Sequence, residues 1–176
     1  PRAAFVFLGL TILAFFYQSI GTGYIFSGTS SSSGTIFSAI ISVVMPVMLF
    51  VVANWCLTTL LEGEGSFRDV FVATCYGIAP LPLLIILSTA VSNFLTANES
   101  AVITLINTIA FIWVGILLFF GVMVTHGYSF GKNVATILFT IIAMAFIMFL
   151  AVLFSSLMTK IVSFVYSIAE EINYRI

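Results

Sequence analysis

The chain has 176 residues, of which 62% are hydrophobic and 6% charged, with a formal net charge of −1. Soluble domains carry about 25% charged residues, and a sphere of this composition would present large apolar areas to water, so a bilayer is the solvent it fits. The near-neutral balance offers no basic footprint to nucleic acid, and no such partner is expected.

The placement of the few charges divides the chain. Asp, Glu, Lys and Arg are missing from 3–61, 70–98, 100–131 and 133–159. A helix needs about 20 apolar residues to cross hydrocarbon, so the first of these gaps holds two spans, separated by the turn formers Gly21-Thr22-Gly23 and the serine-rich run from Gly28 to Gly34. The pattern predicts an all-α polytopic membrane protein with five transmembrane helices, at 3–20, 36–61, about 70–97, 101–125 and 133–158. Runs such as Leu117-Leu118-Phe119-Phe120 lack the alternation of a barrel strand.

The first segment is preceded by Arg2 but ends in Tyr17-Gln18-Ser19-Ile20, which has no small-x-small cleavage pattern, so it reads as an uncleaved span rather than a signal peptide. The chain begins at Pro1 without a methionine, which leaves room for residues upstream. Arg2, Arg68 and Lys132 fall on one side of a five-span topology, against Lys160 and Arg175 on the other. The positive-inside rule then favours a cytoplasmic N-terminus and an outer C-terminus.

In the second span, Pro46 predicts a bend, and Cys56, like Cys75 in the third, reads as a small hydrophobe with no disulfide framework. The densest polar segment follows. Glu62, Glu64, Arg68 and Asp69 crowd into eight residues around Gly63 and Gly65. Ser66 can cap the next helix, with Asp69 three positions on completing a capping box. Ala79-Pro80-Leu81-Pro82 then interrupts the apolar run, which predicts a short half-helix over 66–78 and a proline-broken third helix. Such a break is tolerated where protein covers it, so it is expected to face inward. Asn54, Tyr76, Pro80 and Pro82 are the candidate structural hinge, with Tyr76, Asn54 and the Thr58-Thr59 hydroxyls expected near one another. Glu62, Glu64, Arg68 and Asp69 are candidates for partner binding.

Gly63-x-Gly65 is no phosphate loop, since no strand precedes it and Glu64 would repel a phosphate. Glu62 and Glu64 have no His or Cys at ligand spacing, so no metal site is expected. Asn98-Glu99-Ser100 fits the glycosylation triplet but reads as a turn. His126 is the single histidine and lies in the turn between the fourth and fifth spans. Alone it builds neither a metal cluster nor a triad, so it reads as an interfacial structural residue. The tail from Lys160 is an amphipathic helix, with Ile161, Phe164, Val165, Ile168, Ile172 and Ile176 at helical spacing, suited to lying on the membrane or docking on a partner. It divides the chain into a membrane domain, 1–159, and a C-terminal helix, 160–176.

With these residues in view, the chain resembles the bacterial branch of the Yip (Ypt-interacting protein) family of five-span membrane proteins. The resemblance is carried by Asn54-Trp55, Thr58-Thr59-Leu60, Gly63-Glu64-Gly65-Ser66-Phe67-Arg68-Asp69, Tyr76 followed by Pro80, and His126-x-Tyr128-Ser129. It implies five spans and a cytosolic N-terminus, in a bacterial plasma membrane. Eukaryotic members look like trafficking adaptors that meet GTPases through an N-terminal region not contained in these residues, so GTPase binding is not carried over. Bacterial members are often encoded beside carbohydrate ABC-transporter components. The resemblance therefore implies an accessory or scaffold subunit whose partners are the lipid bilayer and other integral membrane proteins, ABC-transporter permease subunits among them. It supplies no catalytic residues, no cofactor and no metal, and no enzyme is expected. The alternatives are a facilitator for a small solute gated at Pro80-Pro82, and a trafficking adaptor of the eukaryotic Yip type.

Overall fold

A computed structural model describes residues 2–22, 36–58, 60–61, 63–96 and 99–175, without the side chains of 169 and 172–175. The serine-rich run, Thr59, Glu62, Asn98 and the last residue, Ile176, lie outside the described residues. Among the described residues six helices occur in order: α1 Arg2–Gly21, α2 Ile36–Thr58, α3 Phe67–Gly77, α4 Leu81–Ser92, α5 Ser100–His126 and α6 Phe130–Arg175. With α3 and α4 taken together, five segments are long and apolar enough to cross a membrane. The five-span expectation is met, with boundaries moved by a few residues.

The third span breaks where its prolines demand. Pro80 cannot donate a helical hydrogen bond, so α3 ends in a tight turn in which Ile78 N–H reaches Thr74 O and Ala79 N–H reaches Tyr76 O, both at 3.1 Å. Pro82 falls in the first turn of α4, where a missing N–H costs nothing. Ile78, Leu81 and Pro82 are buried, so the break faces inward as expected. At its other end α3 opens with the capping box read from the sequence: Asp69 N–H donates to Ser66 Oγ, and Ser66 N–H donates back to Asp69 Oδ2, each at 3.3 Å.

Helix α2 continues through Pro46. Helix α6 runs 46 residues without interruption, because no Gly or Pro occurs between Lys132 and Arg175. There is no break where the span meets the tail at Lys160; the amphipathic segment continues the span. At 1.5 Å per residue, Lys132 and Lys160 stand about 42 Å apart along the axis, close to the roughly 40–45 Å of a bilayer with its headgroups. The two ammonium groups therefore suit the two interfaces.

The core is small and mostly aliphatic: Ala14, Val47, Val51, Val70, Ile78, Leu81 and their neighbours bring α1 to α5 together. Rings on α1 pack on α3, Phe5 against Phe71 at 5.4 Å and Phe7 against Tyr76 at 5.2 Å. These contacts put Arg2 at the same end of the bundle as Arg68. Helices α3 and α5 approach closely through small residues, Gly121 facing Ala73 and Gly77 facing Leu118.

Replacing Ser66 by Ala removes the acceptor for Asp69 N–H, and should destabilise the fold by about 1 kcal/mol. Thermal unfolding of the purified protein in mild detergent measures it, and Ser66→Thr should restore most of the loss.

Candidate functional site

The polar residues of the second and fourth spans meet at one end of the bundle. His126, the last residue of α5, is 2% exposed. It is held there by the end of its own helix: Gly127 adopts φ +65, Tyr128 N–H bonds Met123 O at 3.0 Å and Gly127 N–H bonds Val124 O at 3.4 Å. This is a Schellman termination, in which a left-handed residue turns the chain back on its last carbonyls.

Both ring nitrogens are used. Gly65 N–H donates to His126 Nδ1 at 3.2 Å, so Nδ1 carries no proton, and Nε2–H donates to Asn54 Oδ1 at 2.9 Å. Asn54 is 1% exposed and passes the chain on, its Nδ2 donating to Thr140 Oγ1 at 3.1 Å, while the Thr140 hydroxyl donates to Thr136 O at 2.8 Å. One connected series of hydrogen bonds thus joins the 63–66 loop, α5, α2 and α6. Buried as they are, such groups have no water to turn to, so each depends on the others.

Tyr128 stacks on the imidazole at 5.0 Å and 17°, and Lys132 Nζ lies 4.8 Å from the Tyr128 ring centroid. Burial pushes the Tyr128 hydroxyl above its ordinary value, so it stays a neutral phenol. At the opposite end of the bundle, Thr96 N–H and its hydroxyl bond the Glu99 carboxylate at 2.9 and 3.0 Å and hold its carboxyl below the usual range. Asn133 ties α6 to α5 through Nδ2 and Phe119 O at 2.8 Å, while its buried Oδ1 has no donor among the described residues.

The glycines of the loop are explained by this packing. A Cβ on Gly65 would stand 2.8 Å from His126 Nδ1 and 2.8 Å from Thr125 Cγ2; one on Gly63 would stand 2.6 Å from Nδ1 and overlap the Tyr128 hydroxyl. Neither glycine has a left-handed φ, so the requirement at both is close approach and not backbone conformation.

The expected site residues separate into two groups. Asn54 and His126 belong to the buried network, and Pro80 and Pro82 shape the helix break. Tyr76 does not join Asn54 as expected: it is 48% exposed and packs on Phe7, because its place near the end of α3 turns it toward α1. The Thr58 hydroxyl donates to its own helix, at Asn54 O, while its carbonyl accepts from Gly63 N–H at 3.0 Å, and Thr59 lies outside the described residues. Of the candidates for partner binding, Glu64 and Arg68 are exposed, Asp69 is exposed but engaged in the cap of α3, and Glu62 lies outside the described residues. Trp55 and Phe67 flank them, both partly exposed, in edge-to-face contact at 5.8 Å.

Reading His126 in isolation missed two features. One is its link to Asn54 and Gly65, signalled by an asparagine and a histidine in apolar surroundings, which must find partners. The other is that Gly127-Tyr128-Ser129-Phe130-Gly131 has the Gly-x-Ser-x-Gly spacing of a hydrolase elbow. That elbow is a strand-to-helix turn, whereas this one joins two helices, and both nitrogens of His126 already have partners. It does not make a nucleophile site. Among the described residues no three His, Cys, Asp or Glu side chains cluster as metal ligands.

The Yip1 domain model matches residues 2–154. The chain belongs to the Yip1 domain family. The match covers the first four membrane-crossing segments, reaches into the fifth as far as residue 154 and contains the whole network around His126, and it makes the chain a multi-pass membrane protein. No curated protein and no solved structure matches the chain.

Within this Yip1 domain, His126→Ala and Asn54→Ala should each cost about 1–3 kcal/mol, because each leaves a buried partner unsatisfied, and the double variant should cost less than the sum. Equilibrium unfolding in detergent micelles reads the cycle; strict additivity would mean that the two side chains act independently. Gly65→Ala should lower the melting temperature through its clash with the imidazole, and His126→Ala in the same chain should relieve part of that loss.

Proposed function

We propose that the protein is a non-enzymatic accessory or scaffold subunit of a membrane-protein assembly, recognising its partner at the loop between α2 and α3. One contrast carries the reading. His126, Asn54 and Thr140 inside the bundle bond one another, whereas Glu64 on the loop and Arg68 in the first turn of α3 stand exposed beside Gly65, whose backbone is pinned to His126. A pinned loop loses little conformational freedom on binding, which favours recognition there. Exposed Trp55 and Phe67 beside the charges add apolar surface suited to the interfacial region of a membrane.

The proposed partner is another integral membrane protein, and the resemblance to bacterial members makes an ABC-transporter permease subunit the first candidate. The proposed location is a bacterial plasma membrane, with the loop and the N-terminus cytoplasmic. Arg2, Arg68 and Lys132 gather at one end of the bundle and Lys160 at the other, which supports that orientation. A facilitator of polar solutes is disfavoured, because Ile78 and Leu81 at the helix break offer a solute no hydrogen bonds.

Purification of the tagged chain from its native membrane in mild detergent tests the proposal. A stoichiometric companion should co-purify, and Arg68→Glu or Glu64→Lys should lose it by about tenfold or more, a change of about 1.4 kcal/mol, with unchanged yield and melting temperature. Recovery of the wild-type chain alone under several extraction conditions would sink the scaffold reading.

A further inference from the structure

The middle of the bundle is hollow. A cavity of about 410 Å³ lies among all six helices, within the size range of ligand sites. Its floor is buried and aliphatic, with Val47, Ile78, Leu81 and Val114 each 7% exposed or less. Two threonines also line it, but their hydroxyls donate to their own helices, Thr11 to Phe7 O and Thr74 to Val70 O, both at 2.8 Å. Neither hydroxyl proton is left for a ligand. No Asp, Glu, Lys, Arg, His, Asn or Gln side chain lines the space.

The cavity opens sideways. At its rim Ser42 and Pro46 of α2 and Phe111 of α5 are exposed, and no Cα of α2 lies within 8 Å of one of α5. Helix α6 supplies Met144 and then leaves the body, so that Phe146 and Phe149 are 60% and 57% exposed. Met144 lies 12 residues beyond Lys132, about 18 Å along the axis, and so about midway across the bilayer. A side opening at that depth faces lipid tails, not water.

We infer that this cavity binds the acyl chain of a bilayer phospholipid, which enters laterally between α2 and α5 while its headgroup stays in the interface. The chemistry selects the tail. An apolar cavity stays dry, and an empty one loses the contacts of every side chain lining it. A ligand with a carboxylate or a quinone carbonyl at this depth would lose its water and find no free donor on the cavity floor, since the remaining hydroxyl, that of Ser42, stands at the exposed mouth. A hydrocarbon chain fills the space without that cost, and hydrocarbon is what the opening faces.

The full chain, reconstituted in palmitoyl-oleoyl phosphatidylcholine vesicles doped with a phosphatidylcholine carrying a diazirine midway along one acyl chain, tests this after irradiation and peptide mass spectrometry. Adducts should appear on Ile78 and Val114, which the fold shields from the bilayer, as well as on lipid-facing Phe149. Ser42→Trp places a large side chain at the exposed mouth without disturbing the packed floor. It should cut the Ile78 and Val114 adducts at least about tenfold, equivalent to about 1.4 kcal/mol, and leave those on Phe149 unchanged. Val114→Phe, which fills the cavity from within, should do the same. Adducts confined to outward-facing residues in the wild-type chain, or floor adducts that persist in Ser42→Trp, would overturn the assignment. Neither result depends on whether a partner protein binds at Glu64 and Arg68.

Discussion

The structure depends on one imidazole whose two nitrogens are both engaged. In water a histidine can exchange partners freely, but for a buried one a lost hydrogen bond has no replacement. His126 accepts from the loop backbone at Gly65 and donates to Asn54 on α2, so the end of α5 fixes where α2 stops and how the chain turns into α3. Features that look independent along the chain serve this contact. Gly127 ends α5 with the ring buried, Gly63 and Gly65 let the loop lie against it, and Tyr128 covers it beneath Lys132.

A second constraint concerns where helices are interrupted. Prolines break the third span and stand within the second, while α6 has neither Gly nor Pro from Lys132 to its end. The broken third span and the continuous second both line the central cavity, and α6 leaves the body past Met144, giving that cavity its side opening. The same continuity sets Lys132 and Lys160 about 42 Å apart, a spacing that suits the two edges of a bilayer. Packing is therefore tight at the His126 end, where polar groups specify it, and loose in the middle, where only aliphatic surfaces meet.

This division bears on how a Yip1 domain with so few ionisable groups can recognise anything. His126, Asn54 and Thr140 are bonded to one another and tie α5, α2 and α6 together, while the buried hydroxyls of Thr11, Thr74 and Thr89 bond their own helices. The exposed charges lie at the perimeter, on Glu64 of the loop and Arg68 at the start of α3, and the apolar cavity lies in the middle. The proposed recognition of a protein and the proposed binding of hydrocarbon therefore draw on different parts of the bundle and would not compete.

Composition and spacing alone determined the five spans, the capped start of α3, the proline break and the membrane setting, because each follows from hydrophobicity over about 20 residues or from local backbone chemistry. The gap pattern in charge marked the membrane segments, and Ser66 with Asp69 marked the cap. Which polar residues meet was not legible. His126 and Asn54 are 72 positions apart, and no local rule pairs them. Tyr76 was drawn toward Asn54 by its sequence neighbourhood but was turned to Phe7 by the helix it sits on. The glycines at 63 and 65 read as turn residues, and only the folded chain exposes the close approach that requires them. Tertiary structure decided the network and the cavity because both arise from helices brought together across the bundle, whereas the sequence by itself determined what each helix could tolerate along its own length.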